Sequence, residues 1–178
     1  LHIPVVWNTS GYESAQTLAL LEGLVDIYLV DFKYSNPTTA QRLSRASDYV
    51  GVALAAIEQM IEQTGAPRSS KEGYLERGVI VRHLVLPGYV DDSLAALDLL
   101  YPRIRGRALL SIMNQFTIVD ETLDVRAYGL ERAVSDEAYE RVLVHADELG
   151  FEDYFWQEGG AASESFVPAF DGTGVLVP

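Results

Sequence analysis

The sequence predicts an α/β fold in which short parallel strands alternate with outer helices. Two kinds of segment support this prediction: β-branched apolar runs typical of buried strands, and longer stretches in which apolar residues recur every three or four positions, typical of helices. They alternate along the 178 residues, as in parallel sheets whose strands are joined by helical crossovers. No tandem repeat or linker divides the sequence, so residues 1–178 are predicted to form a single domain.

Four strands and a shorter last one are predicted, at residues 3–7, 25–32, 79–86, 108–116 and 154–157. The apolar character of the second strand indicates that both of its faces are covered. Residues 68–78 are expected to form a loop or a small hairpin, and residues 157–178 an irregular tail that packs on the domain. Because ligands of α/β sheets bind at the carboxyl ends of strands, the polar residues that follow the strands are candidates for a site.

Helices are predicted between the strands. Ser14 begins one helical pattern and Ser135 begins another, since serine is a preferred N-cap residue. The long helical stretch 40–63 is expected to break near Ser47-Asp48. The run Asp91-Asp92-Ser93 is expected to cap the helix that precedes the fourth strand.

The composition excludes several classes of function. Asp and Glu number 26 against 13 Lys and Arg, which gives a net charge of -13 and disfavours binding to nucleic acids and to anionic membranes. No apolar run approaches the roughly 20 residues that cross a bilayer, and no leader-like segment is visible, so a cytoplasmic location is expected. The chain has no cysteine, and its three histidines lack metal-ligand spacing, so no metal site is expected within it.

Asp31 and Lys33 end the second predicted strand. The period of two in a strand places both side chains on the same face, with Phe32 on the other. At a ligand-facing edge they would offer an acceptor for hydroxyl groups and a donor for a carboxylate. A purely structural ion pair is the alternative interpretation.

Three further groups follow or interrupt the strands. Thr9-Ser10-Gly11 forms either a helix N-terminal turn or an anion-binding turn with free N–H groups. Arg82 lies within an apolar strand, where a buried guanidinium needs a polar partner or a ligand. Asn114-Gln115 ends the fourth strand, where an amide could pair with the edge of an adenine.

The order of these motifs resembles the later strands of pyruvate formate-lyase activating enzymes, which belong to the radical S-adenosylmethionine (SAM) superfamily. The resemblance covers essentially the whole chain. It is carried by five blocks: Asn8-Thr9-Ser10-Gly11-Tyr12, Val30-Asp31-Phe32-Lys33, residues 81–88, residues 112–116, and the ending 157–160 with 163–166.

The resemblance implies a partial (β/α) barrel, related to the TIM barrel, that binds SAM and a [4Fe–4S] cluster across the strand ends. Cleavage of SAM in this family yields a 5'-deoxyadenosyl radical, which in the activating enzymes removes a hydrogen from a glycine of a partner enzyme. A glycyl-radical enzyme or another protein substrate is therefore the implied partner.

The resemblance also implies a set of SAM-contacting residues: Thr9, Ser10, Gly11, Asp31, Lys33, Arg82, Leu84, Asn114 and Gln115. Thr9 and Ser10 would contact the methionine part, and the Asp31–Lys33 pair would lie near the ribose and the carboxylate. Arg82 would line the site, with Leu84 beside the adenine. Residues 114–115 fall at the adenine contact, but the block differs from the Pro-Tyr-His that the activating enzymes usually have there.

The Cys-x3-Cys-x2-Cys motif of the family is absent from the sequence. Its three thiolates ligate three irons of the cluster and leave the fourth for SAM. The strands that carry the motif would precede Leu1, so the chain is expected to be the C-terminal part of a longer oxidoreductase or activase and to be inactive alone. The first strand would then have a bare edge through which the chain self-associates.

Two other functions stay open. One is a module without a cluster that binds SAM, a nucleotide or a partner protein. The other is a partial α/β barrel enzyme that acts on an anionic metabolite through Asp31, Lys33 and Arg82. A Schiff base at Lys33 would need a neutral amine, whereas the adjacent carboxylate favours the ammonium form. Residues 68–78 and 117–132 are placed where specificity elements would lie, although a plain loop is the alternative for each.

Overall fold

The computed structural model describes residues 3–116, 125–152 and 154–157. Four parallel strands pair in the order β1-β2-β4-β5, and the short β3 forms an antiparallel hairpin with the first part of β4. The strands are β1 (Val6–Thr9), β2 (Ile27–Asp31), β3 (Arg68–Ser69), β4 (Leu75–Leu84) and β5 (Leu109–Met113). The predicted α/β class is therefore confirmed, and of the two alternatives for residues 68–78, a loop or a small hairpin, the structure has the hairpin. The predicted last strand is reduced to one parallel bridge, between Phe155 and Ser111 of β5.

The helices follow the predicted alternation. They are α1 (Ala15–Leu21), α2 (Pro37–Ser44), α3 (Tyr49–Thr64), α4 (Val90–Ile104) and α5 (Asp136–Leu149), with a 3-10 turn at Val125–Tyr128. The side chains of Ser14 and Ser135 cap α1 and α5, as predicted. The long helical stretch is broken between α2 and α3, where Arg45 ends α2 in the left-handed backbone region (φ 56°).

The prediction that Asp91-Asp92-Ser93 caps α4 is wrong. The helix begins at Val90, so Tyr89 occupies the N-cap position, and the two aspartates lie in the first turn. Acidic side chains favour this turn because it carries the positive end of the helix dipole. The same residue types are common at both positions, which is why the sequence placed the helix start too late.

The helices cover one face of the sheet. Tyr28 and Val30 of β2, with Val79 and Val81 of β4, are fully buried against them. The side chains that alternate with these point to the opposite face and are mostly half-buried. The prediction that both faces of β2 are covered therefore holds at Ile27 but not at Leu29, which is half-buried in the described part of the chain. We call this second face the open face.

Strand β1 lies at an edge of the sheet. It pairs with β2 alone among the described strands, and the apolar side chains of Val5 and Val6 are about half exposed, at 50% and 53%. No helix in the described part of the chain is long and apolar enough to cross a membrane. The predicted tail beyond Gln157, and residues 117–124 of the second specificity segment, lie outside the described residues.

Candidate functional site

Polar side chains from three neighbouring strands meet at the carboxyl ends of the sheet, on the open face. Asp31 of β2 lies directly opposite Arg82 of β4 in the parallel register, so both side chains leave the sheet on the same side. Asn8 of β1 lies opposite Leu29, which is also on that side. The fold therefore brings residues that are far apart in sequence to one place.

Asp31 is the centre of this cluster. Its Oδ2 accepts a hydrogen bond from Lys33 Nζ at 2.6 Å, and its Oδ1 accepts one from Arg82 Nε at 2.7 Å. Arg82 Nη2 also donates to Asn8 Oδ1 at 2.7 Å. The charged side chains are partly open to solvent, with 20% of Asp31, 22% of Arg82 and 38% of Lys33 exposed. We call these four residues the Asp31 cluster.

The Asp31 cluster is rich in hydrogen-bond donors. One carboxylate faces two cations, which leaves a local charge of +1 in a chain whose net charge is -13. An ammonium group has three donors and a guanidinium has five. Within the described residues, Arg82 Nη1 and the amide nitrogen of Asn8 have no hydrogen-bond partner. Such an arrangement suits an anionic group such as a carboxylate or a phosphate.

The turn after β1 packs directly against the end of β2. The hydroxyl of Thr9, a buried residue, accepts a hydrogen bond from Gly11 N at 3.1 Å and donates to the carboxylate of Glu13. Gly11 has a φ of 78°, and a Cβ atom there would lie 2.6 Å from the carbonyl oxygen of Asp31. These contacts give Thr9 and Gly11 a structural role in the turn, and they bring Ser10 to the same strand ends.

Tyr49 joins the two strand ends. Its hydroxyl donates to the carbonyl oxygens of Ser10 and Asp31, at 3.0 and 2.9 Å, and it accepts a hydrogen bond from Lys33 N at 2.9 Å. Burial of the ring raises the pKa of Tyr49 far above its ordinary value of about 10, so the hydroxyl keeps its proton. Sequence reasoning missed this residue because a tyrosine at a helix start carries no motif.

His83 and Leu84 leave β4 on opposite faces. Leu84 is half-buried on the open face, next to Met113 of β5. His83 is buried against the helices, and its Nδ1 lies 2.7 Å from the carbonyl oxygen of Phe32. Because a carbonyl only accepts, Nδ1 carries the proton. Burial lowers the pKa of His83. Its Nε2 has no partner within the described residues.

Asn114 and Gln115 follow β5, and the described contacts of Asn114 do not include the Asp31 cluster. Asn114 is buried, and its backbone N–H donates to Gln157 Oε1 at 3.0 Å. Its side-chain oxygen has no partner in the described part of the chain. Gln115 is half-buried. An adenine contact at these two residues therefore stays a prediction.

The described residues contain no group of three side chains that could hold a metal ion. Together with the lack of cysteine, this means that the described part of the chain does not fit an iron–sulfur cluster. The donors of the Asp31 cluster do fit the carboxylate of an amino acid such as the methionine part of SAM.

Two kinds of comparison with known proteins were informative about this chain, the first by sequence and the second by structure. No protein-family model matches the chain. An uncharacterized protein of Methanocaldococcus jannaschii is 30% identical over 118 residues, which are 65% of this chain. The match spans only 30% of that relative's length.

The second comparison is structural. A domain of a pyruvate-formate lyase-activating enzyme from Bacteroides vulgatus superposes with a TM-score of 0.57 and 13% identity. The superposition covers 87% of this chain and 80% of that domain. At this identity the likeness concerns the fold alone. It confirms the predicted architecture, a partial (β/α) barrel with parallel strands and outer helices.

Proposed function

We propose that this chain is the C-terminal, SAM-binding portion of a radical SAM enzyme that resembles pyruvate formate-lyase activating enzymes. The Asp31 cluster carries the proposal, because it places open donors at the carboxyl ends of three parallel strands. This is where ligands bind in barrels of this class. The likeness in fold to a domain of such an enzyme supports it.

In this proposal the residues of the chain bind and orient SAM. Lys33 and Arg82 hold the carboxylate of the methionine part with charge-assisted hydrogen bonds. Asp31 keeps both cations in place through its ion pairs with them. A reduced iron–sulfur cluster would supply the electron for radical chemistry on bound SAM. The cluster would come from another part of a longer protein, since this chain has no cysteine.

The edge of β1 away from β2, which pairs with no other described strand, fits the same proposal. An edge strand presents unpaired N–H and C=O groups and readily accepts another strand. The exposed side chains of Val5 and Val6 add an apolar surface beside it. We propose that a strand from the rest of the enzyme, or from a second copy of the chain, pairs here.

The proposed substrate is a glycyl-radical enzyme or another protein.

The positive charge of the cluster also favours a second candidate function, which is action on a small anionic metabolite. Lys33 is held in a 2.6 Å ion pair with Asp31, so its role in such an enzyme would be to bind an anion as an ammonium ion. The two candidates differ in the ligand. SAM carries an adenosine in addition to a carboxylate, and an anionic metabolite does not.

Isothermal titration calorimetry of the purified chain with SAM tests the proposal. Arg82→Ala should weaken SAM binding about tenfold or more, because charge-assisted hydrogen bonds contribute about 1.5–3 kcal/mol each. Arg68→Ala is a matched control. It removes the same charge from β3, at the opposite end of the sheet, where Arg68 faces Glu76 at 3.6 Å. This variant should bind SAM like the unchanged chain.

Two outcomes would argue against SAM. No binding heat with SAM would overturn the proposal directly. Equal competition by inorganic phosphate or a simple amino acid, with no gain from the adenosine, would favour the anionic metabolite instead. A titration with S-adenosylhomocysteine, compared with that of the simple amino acid, measures the gain from the adenosine, because both ligands have the carboxylate and only the first has the adenosine.

A further inference from the structure

We infer that Tyr49 is a positioning residue of the candidate site: its hydroxyl fixes the distance between the turn after β1 and the end of β2, and so sets where Lys33 stands. The inference rests on the proposed function for the identity of the ligand, SAM. Its geometric basis is independent of that ligand. Tyr49 touches three backbone groups of the strand-end loops, at Ser10, Asp31 and Lys33.

A single hydroxyl satisfies these three groups. It has one proton to donate and two lone pairs to accept with. The proton is shared between the carbonyl oxygens of Ser10 and Asp31, at 3.0 and 2.9 Å, and a lone pair receives the N–H of Lys33 at 2.9 Å. The first carbonyl belongs to the turn after β1, and the other two groups belong to the end of β2. The hydroxyl therefore acts as a bridge between the two loops.

The position of the hydroxyl is itself well fixed. Tyr49 is the first residue of α3, and only 3% of it is exposed. Its ring packs against three aromatic rings, with centroid distances of 5.4 Å to Tyr34, 5.9 Å to Tyr12 and 6.3 Å to Phe32. A ring held on several sides has few alternative rotamers. The bridge therefore transmits the position of α3 to both strand ends.

The consequence for the site follows from Lys33. Its ammonium reaches back to Asp31 Oδ2 at 2.6 Å, so the position of its backbone decides whether it can contact Asp31 and a ligand together. Loss of the Tyr49 hydroxyl would leave a partly buried N–H and two carbonyl oxygens without this partner, and such groups move toward water or toward new partners. The donor groups of the Asp31 cluster would then adopt several arrangements, and only some of these could bind SAM.

Tyr49→Phe removes the hydroxyl and keeps the ring. We expect about tenfold weaker binding of SAM in calorimetry, since one well-placed hydrogen-bonded group typically has an effect of this size on an equilibrium. Tyr34→Phe is the matched control. Tyr34 is buried in the same aromatic cluster, but its hydroxyl contacts Ser44 Oγ of α2 at 2.8 Å and none of the strand-end groups. This variant should bind SAM within about twofold of the unchanged chain, whatever its melting temperature.

A second measurement is independent of the ligand. Amide hydrogen exchange at Lys33, followed by NMR, should be accelerated in Tyr49→Phe and unchanged in Tyr34→Phe. Unchanged exchange at Lys33 in Tyr49→Phe would overturn the inference. So would equal losses of SAM affinity in the two variants, because that would indicate general loosening of the aromatic cluster.

The two proposals fail in different ways. If Arg82→Ala abolishes SAM binding but Tyr49→Phe does not change it, the positioning role is wrong and the proposed function stands. If the unchanged chain does not bind SAM, the proposed function fails. The exchange rate at Lys33 then still decides whether Tyr49 fixes the strand end.

Discussion

The two ends of the sheet are built differently. At the carboxyl ends, the loops after β1 and β2 are closely packed, since a Cβ atom on Gly11 would lie 2.6 Å from the Asp31 carbonyl oxygen. At the amino ends, Gly23, Gly65 and Gly106 occupy loops with similar positive φ angles, yet a Cβ atom there would meet no described atom within 4 Å. Gly11 thus serves close approach, whereas these three glycines serve only chain reversal.

Hydrogen bonds between loops occur at both ends; at the amino end, Arg77 donates to the carbonyl oxygens of Gln63 and Thr64, at 3.0 and 2.9 Å. At the carboxyl ends, Tyr49 bridges two loops, and His83 contacts the carbonyl oxygen of Phe32. Ser35, in the loop after β2, makes two bonds to Asp92 at the start of α4. An exception at the amino end is Gly78, where a Cβ atom would lie 2.9 Å from Pro67, but this close approach belongs to the β3–β4 hairpin. The close approach of Gly11 and the bonds of Tyr49, His83 and Ser35 connect the carboxyl-end loops to one another, as a site requires.

Substitution of Gly11 and of Gly23 would test most strongly whether the loops are packed more tightly at the carboxyl ends. Gly23→Ala should lower the free energy of unfolding by about 1–2 kcal/mol, the usual effect of a left-handed residue with a Cβ atom. Gly11→Ala should lower it by about 2–4 kcal/mol, because its Cβ atom also overlaps a backbone oxygen that cannot move aside. Urea denaturation of both variants measures the two losses. Equal losses would mean that the turn after β1 is free to shift, and that the carboxyl ends are no more tightly packed than the amino ends.

Part of the carboxyl-end arrangement was predictable from the sequence. The period of two in a strand places Asp31 and Lys33 on one face, and the 2.6 Å contact confirms their proximity. A guanidinium in an apolar strand needs a partner, and Arg82 finds one in Asp31. Both predictions rest on local physical chemistry, namely strand periodicity and the unfavourable burial of an unpaired charge.

The remaining contacts depend on the tertiary fold. The alignment of Asp31 with Arg82 is a matter of strand register, which the crossover and not the strand sequence decides. Tyr49 contacts Ser10 and Lys33 only because α3 returns over the sheet. No local pattern distinguishes that tyrosine from other apolar residues of an amphipathic helix. The role of Asn8 was missed for the same reason, since its partner is distant in sequence.

The pH dependence of stability tests how well the contact between His83 and the Phe32 carbonyl oxygen is shielded from water. Burial lowers the pKa of His83 in the folded chain, relative to about 6.5 in the unfolded chain. Below pH 6.5 the unfolded state therefore binds more protons, and stability falls as the pH falls. His83→Asn keeps an N–H donor for the Phe32 carbonyl and removes the titrating group. From pH 7.5 to pH 5, the unchanged chain should lose about 1–2 kcal/mol more stability than this variant.

Urea denaturation at both pH values gives the four free energies of unfolding. The difference between the two pH-dependent losses isolates His83, because the carboxylates titrate in both proteins. If the losses are the same, the imidazole is reached by water in the native state, and the carboxyl ends are looser than their contacts indicate.

The smallest effect on the free energy of unfolding is expected from an ion pair at the amino end. It can be compared with the ion pair of Arg82 at the carboxyl end. Arg68 Nε lies 3.6 Å from Glu76 Oε2, and the two side chains are 67% and 46% exposed. Solvent and salt screen such a pair, so Arg68→Ala should change the free energy of unfolding by less than about 1 kcal/mol, and by less still in 1 M salt. Arg82→Ala should have a larger effect that salt reduces less, because it removes a half-buried partner at 2.6–2.7 Å from Asp31. Equal, salt-sensitive losses in the two variants would mean that the Asp31 cluster is an ordinary surface ion pair, and a fixed set of donors for a ligand would then have no physical basis.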